Sequence, residues 1–381
     1  MSVKNKLIWA AIAVLGAVAF GIVALTRNEP VNAMWLVIAA LCVYVIGFRF
    51  YGLFIANTVL GVNPARQTPA YRRNDGLDYV PTNPYVLFGH HFAAIAGAGP
   101  LVGPVLAAQM GYLPGTLWLL AGVVFAGAVQ DMVVLFLSTR RDGRSLGDII
   151  RSEMGPTAGT IAGVGVLLIC VIILAVLALV VVNALKSSPW GTSTVSCTIP
   201  IAIIMGLYGR FLRPGRIGEM SLIGAVLLLA ALIFGRNVAD SPALAHYFTL
   251  SGPTLALLII GYGYVASVLP VWLLLAPRDY LSTFLKVGTV ALLAVGVLLA
   301  HPNLQMPAIT KFIDGSGPVW SGSLFPFLFI TIACGAVSGW HSLISSGTTP
   351  KMIESEKHIA YIGYGGMLME SFVGIMAMIG A

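Results

Sequence analysis

Two acids stand where acids are costly. Asp131 lies inside the apolar run Thr116 to Leu137 and Glu370 inside the run Tyr361 to Ala381, and neither has a lysine or arginine within four residues. At the centre of a membrane helix a carboxyl costs about 2.5–3.5 kcal/mol even on a lenient insertion scale. Both are therefore expected to face a protein interior, where exchanging a proton is the chemistry open to them. A structural ion pair between Asp131 and Arg140 or Arg141 is disfavoured, because those arginines lie nine and ten positions on, beyond the reach of one helical turn. His90 and His91 add imidazoles, which titrate near pH ~6.5 when unperturbed and suit proton transfer. Adjacent helical positions point about 100° apart, so at most one of the two is expected to face a cavity. Interfacial anchoring is the alternative.

The same histidines open an unusual stretch. Tyr79-Val-Pro-Thr-Asn-Pro-Tyr-Val-Leu-Phe-Gly-His-His91 runs on through Gly97-Ala-Gly-Pro100 to Gly103-Pro104. Proline removes a backbone donor and clashes with the preceding turn, while glycine tolerates irregular backbone, so an unbroken helix is not expected here. A half-helix starting at such a break presents free amides to an anionic group. His90, His91, Gly97, Gly99, Pro100 and Gly103 are thus the candidate substrate-binding residues, with Asp131 and Glu370 as proton-coupling residues. A Pro-kinked, tightly packed span is the competing reading. The spacing G-x-H-x5-G-x2-P from Gly89 to Pro100 recurs without a gap at Gly339, His341, Gly347 and Pro350. His341, Gly347 and Pro350 are then the repeat partners of the first site, and two such elements on oppositely directed spans would form an inverted repeat.

These residues need a scaffold, and the composition names it. Of 381 residues 58% are hydrophobic and 9% charged, where soluble domains average roughly 25% charged. Mean hydropathy is +0.93. A water-soluble domain is excluded. Apolar runs near the length needed to cross about 30 Å of hydrocarbon recur along the chain. Eleven segments are expected to span: Leu7–Leu25, Val31–Phe48, Val86–Ala108, Thr116–Leu137, Thr160–Leu185, Val195–Tyr208, Ile217–Phe234, Pro253–Leu275, Phe284–Ala300, Leu324–Ile344 and Tyr361–Ala381. They are read as helices, because hydrocarbon satisfies no exposed backbone group and the runs are too long and unalternating for barrel strands. The fold class is all-α, a polytopic transmembrane helix bundle, and residues 1–381 form a single transmembrane domain. With the N-terminus in the cytoplasm, seventeen of the 21 basic residues are counted inside, Lys286 at the start of its span and Arg278, beside Asp279, as a loop charge among them, and only Arg27, Lys186, Arg236 and Lys311 fall outside. No cleavage site follows the first run before Arg27 and Glu29, so that run is read as a retained span.

The net charge of +7 is scattered between spans and gives no nucleic-acid patch. Arg140-Arg-Asp-Gly-Arg144 would suit anionic lipid or a plain solvated loop. Cys42, Cys170, Cys197 and Cys334 have no metal-like spacing and are expected as reduced, buried thiols. No metal or other cofactor is expected. The absence of GxxxxGK[ST], HExxH and GxSxG removes common routes to an ATPase or membrane hydrolase, so the chain is not read as an enzyme.

Several segments resemble the carbon starvation protein A family of bacterial inner-membrane transporters. They are Asp75-Gly-Leu-Asp-Tyr-Val-Pro-Thr-Asn83, Val86 through Gly89-His-His91 to Pro104, Gln130-Asp131, Leu275-Ala-Pro-Arg-Asp-Tyr280, Phe329 to Gly339 and Ile344 to Pro350. The resemblance covers essentially the whole chain. It implies peptide uptake under carbon starvation or proton-coupled pyruvate import, and an inverted-repeat architecture like that of the amino acid, polyamine and organocation carriers. It also implies that Gly89 to Pro104 and Asp131 are site elements. Family members are longer and carry further spans, so this chain is expected to be an N-terminal portion. The expected function is a secondary transporter importing small peptides or pyruvate with protons. The rival readings are a channel and a membrane-embedded nutrient sensor.

Overall fold

The computed structural model describes residues 3–25 and 31–381, which fold into helices with no strand among them. Arg27 and Glu29, read above as charges following the first span, lie outside the described residues. Among the described residues, eight helices are long and apolar enough to cross a membrane. In chain order, with the shorter helices between them, the elements are α1 (Val3–Leu25), α2 (Ala33–Val59), α3 (Pro84–Ile95), α4 (Gly99–Met110), α5 (Tyr112–Arg140), α6 (Leu146–Met154), α7 (Pro156–Leu185), α8 (Pro189–Leu212), α9 (Ile217–Asp240), α10 (Pro242–Phe248), α11 (Gly252–Val268), α12 (Leu275–Ala300), α13 (Gly339–Ser345) and α14 (Glu356–Gly380). Two pairs, α3 with α4 and α10 with α11, are bent by 45° and 62° at short breaks, and counting each as one span gives ten.

Local sequence explains where these helices begin. Asn32, Asn83, Ser145, Ser188 and Ser251 each accept an amide of the first turn, satisfying a donor that the helix cannot. Proline occupies the first turn of α3, α4, α7, α8, α10 and α11, where its missing N–H costs nothing.

Two expectations change. The segment Leu324–Ile344 is not one helix but a chain of short pieces, Leu324–Leu328, Phe329–Thr331, Ala333–Ala336 and α13, because extended backbone at Val337 and Ser338 interrupts it. The segment expected at Phe284–Ala300 starts nine residues earlier, at Leu275. Pro277 falls in its first turn and does not stop it. Arg278 and Asp279, which fall before the expected span and read as loop charges, are therefore helical residues, and Lys286 lies deeper in the helix than expected.

Burial grades the bundle from centre to edge. About 78% of the most apolar part of α14 is buried and 61% of that of α5, while none of that of α7 is. Tyr364 of α14 is fully buried and donates to the Val124 carbonyl of α5 at 2.9 Å; Tyr44 of α2 donates to Ser371 of α14 at 2.8 Å. At the ends of α5 and α14, Arg140 grips Glu356 through two bonds of 2.6 and 2.8 Å, and Glu356 also accepts the Asn63 amide. This forked geometry favours arginine. Arg141 pairs with Glu153, and Asp142 with Arg72 and Arg73, so much of the loop offered above to lipid is tied to the protein instead.

Backbones of α5 and α14 approach so closely that a Cβ on Gly363 would lie 2.9 Å from the Met132 Cα. Gly363→Ala is expected to lower unfolding free energy by about 1–3 kcal/mol, the usual penalty of overpacking. Gly261→Ala, at a position with open space around it, should stay within about 1 kcal/mol of the parent. Thermal melts in detergent compare the two.

Candidate functional site

The approach to α3 is stiffened before the site begins. Asp75 accepts the amides of Leu77, Asp78 and Tyr79 at 2.8–3.0 Å, which hold its carboxyl below the usual range although burial pulls the other way. Thr82 then donates its amide to the Met352 carbonyl, and Asn83 caps α3.

The first break is where the glycines place it. Helix α3 ends at Ile95, Ala96 leaves helical geometry at ψ 64°, and α4 restarts at Gly99. The Ala96 amide still reaches Phe92 and the Gly97 amide reaches Ile95, but the Ala98 and Gly99 amides find no backbone acceptor among the described residues. A side chain at Gly97 would meet only open space. Gly99 and Gly103 are small for packing reasons: a Cβ on Gly99 would strike Cys334 Sγ at 2.6 Å, and one on Gly103 would strike the Thr331 backbone. Pro100 sits in the first turn of α4.

The second copy of the motif breaks in the same register. Helix α13 ends at Ser345 and the next helix, Thr349–Met352, restarts with Pro350 in its first turn and Gly347 between the two. Motif glycine and motif proline hold the same places at both breaks. The copies also meet. His90 Nε2 lies 2.8 Å from the Thr348 hydroxyl and His91 Nδ1 lies 3.0 Å from that of Thr349. Ser346 in turn accepts the amide of Leu146, at the start of α6, at 3.2 Å. Both histidines are buried, contrary to the expectation that only one faces inward. The break beside them gives each a polar partner, and His90 has a second one, Asp279 Oδ2 at 2.9 Å from Nδ1.

Asp131, His341 and Glu370 converge in the core. His341 is the centre: Nδ1 lies 3.3 Å from Asp131 Oδ2, and Nε2 lies 3.0 Å from Glu370 Oε2. All three side chains are fully buried. The neighbouring Gln130 fixes the entry to α13 by donating to the Ser338 carbonyl at 2.5 Å. Three separate elements, α5, α13 and α14, thus supply one imidazole between two carboxyls. The expectations for Asp131 and Glu370 named no partner; the partner is the histidine read only as a repeat position. Cys334 completes the group, donating to Glu370 Oε1 at 3.3 Å and lying 3.8 Å from His341 Nε2.

Cys334, His341 and Glu370 place ligand-type atoms within 4.8 Å of one another, a donor set suited to a borderline divalent cation. The same atoms make the ion pair and the Cys334 hydrogen bonds just described. Sequence spacing gave no hint of it, since Cys334 and Glu370 are 36 residues apart. Asp279 was missed too. Its signal was present: Asp279 and Lys286 lie seven residues apart, on one face of α12.

Comparison with known proteins gives a consistent family. The family model described as carbon starvation protein CstA matches residues 32–381. "Peptide transporter CstA" of Escherichia coli (strain K12) is 68% identical over 98% of this chain and 54% of its own length. "Pyruvate/proton symporter BtsT" of the same organism is 61% identical over 98% of the chain and 52% of its length, and "Peptide transporter CstA" of Mycobacterium tuberculosis (strain H37Rv) is 60% identical over the whole chain and 50% of its length. The chain therefore spans about half the length of the curated relatives it matches. No solved structure matches it significantly.

Removing the imidazole leaves two carboxyls buried without their partner. His341→Ala is expected to cost about 3 kcal/mol of stability, as for other broken buried pairs. Adding Asp131→Asn and Glu370→Gln should recover more than half of that. A mutant cycle by thermal unfolding measures the coupling, and strictly additive losses would show that the three do not act together.

Proposed function

We propose, for a chain that belongs to the carbon starvation protein CstA family, the function of a secondary active transporter in the bacterial inner membrane. It imports small peptides or pyruvate together with protons, with its N-terminus in the cytoplasm. The observation that carries this reading is the contact between two helix breaks of matching register beside a buried Asp131–His341–Glu370 group. The relatives named for peptide transport and for pyruvate/proton symport support the substrate classes.

The chemistry follows from charge arithmetic. With both carboxyls ionised and the imidazole protonated, the group carries one net negative charge; one further proton makes it neutral. A buried charge is expensive to move through a dry intermediate and a neutral group is not, so proton uptake lowers the cost of reorientation. The Ala98 and Gly99 amides, left without acceptors at the first break, receive the substrate carboxylate in the manner of a helix N-terminus. His90 and His91, held on Thr348 and Thr349, connect the substrate break to the second one. A shift of either element is then felt by the other, and Asp131, which touches α13, exchanges the proton as the second element moves. Alternating exposure would arise from rocking of one set of helices against the other around this centre.

Asp131→Asn removes the proton-exchanging carboxyl and keeps its shape. In proteoliposomes it is expected to abolish uphill, proton-driven accumulation of labelled pyruvate or dipeptide while leaving part of the downhill exchange. Unchanged accumulation, or accumulation in the parent that an uncoupler does not affect, would refute proton coupling through this group.

A further inference from the structure

Lys286 is a charged residue in the middle of α12 that the mechanism above does not use. Its ammonium donates to the Ala93 carbonyl at 2.9 Å, and it makes no ion pair among the described residues. Ala93 lies in the last turn of α3, so the lysine sits at the negative end of a helix that the break has cut short. Capping accounts for one of its three N–H donors. An ammonium at membrane depth calls for a full counter-charge.

Space for that counter-charge is adjacent. A cavity of about 400 Å³ is lined by Lys286 and Thr289 from α12 and by Ala96, Gly97 and Ala98 of the break, and among the described residues Lys286 is the only charged one on its wall. The Gly97 position opens on free space, and the Ala98 amide has no backbone acceptor. The remaining wall is apolar, Leu101 and Val373 among it. The volume falls in the range typical of small-molecule sites.

We propose that the Lys286 ammonium is the counter-charge for the carboxylate of the transported solute, which it holds in this cavity together with the Ala98 amide. The ligand class is a small monocarboxylate with a short apolar body, either a free keto acid or the C-terminus of a short peptide. This assignment rests on the transporter reading and names the residue that selects its substrate. Thr289 supplies a hydroxyl for a second polar atom of the solute, and the apolar wall takes its methyl or side chain.

Uptake of pyruvate and of dialanine into proteoliposomes, each competed by the amide that lacks its carboxylate charge, tests it. Parent protein is expected to prefer the carboxylates over the amides by roughly tenfold or more. Lys286→Gln should raise KM for the carboxylates about tenfold and abolish the preference, while Lys286→Arg, which keeps the charge, should retain most of it. If Lys286 serves only as a helix cap, Lys286→Gln lowers stability and maximal rate and leaves the preference intact, which overturns the assignment. Should the glutamine variant not fold, a parent protein that takes up carboxylate and amide equally well also overturns it. A parent that takes up neither solute refutes the transporter reading itself, and that outcome is distinct from uptake with an unchanged preference in the variant.

Discussion

Breaking a helix at membrane depth releases amides and carbonyls that hydrocarbon cannot satisfy, so a break survives only where protein or a water-lined cavity meets it. Here two breaks are set against each other. The hydroxyls of Thr348 and Thr349, at the second break, meet the imidazoles of the helix that leads into the first. Thr82 and Met352 tie the flanking chain together, and Lys286 covers a carbonyl that α3 leaves bare. The small residues Gly99 and Gly103 let Cys334 and Thr331 come close enough for this to happen. Packing around the breaks is thus as much a condition of the site as its polar groups.

Charge is handled by the same logic in two different settings. Near the end of the bundle, Arg140 and Glu356 form a forked, partly exposed pair that holds the ends of α5 and α14 together. In the core, one histidine stands between two carboxyls with no arginine to fix the balance. The first arrangement is permanent because guanidinium does not lose its proton. The second consists only of groups that can take up or release a proton, and the proposed coupling rests on that difference.

Much of this was legible from residue types. An acid without a local partner in an apolar run pointed Asp131 and Glu370 inward, and both are buried. The glycine–proline stretch pointed to the first break, which falls at residues 96–98, at the leading edge of the expected region. The G-x-H-x5-G-x2-P spacing anticipated a second helix–break–helix in equal register. What escaped was tertiary. Cys334, His341 and Glu370 come from three short-range contexts that only folding brings together. Charged residues hid the start of α12, because hydropathy reads Arg278 and Asp279 as loop even though Asp279 has an interior partner in His90. Pairing with the opposite break likewise buried both His90 and His91, where angular spacing on a lone helix allowed only one.

The outermost helix has a consequence of its own. Helix α7 contains 30 residues and so rises about 45 Å, well beyond a hydrocarbon layer of about 30 Å. With no buried residue in its most apolar stretch, a helix of this length fits a thinner lipid layer by leaning. Gly155 joins it directly to α6, whose first amide is bonded to Ser346 in the second break. A lean of α7 would therefore be passed through Gly155 and the Leu146–Ser346 bond to the irregular backbone of the second break.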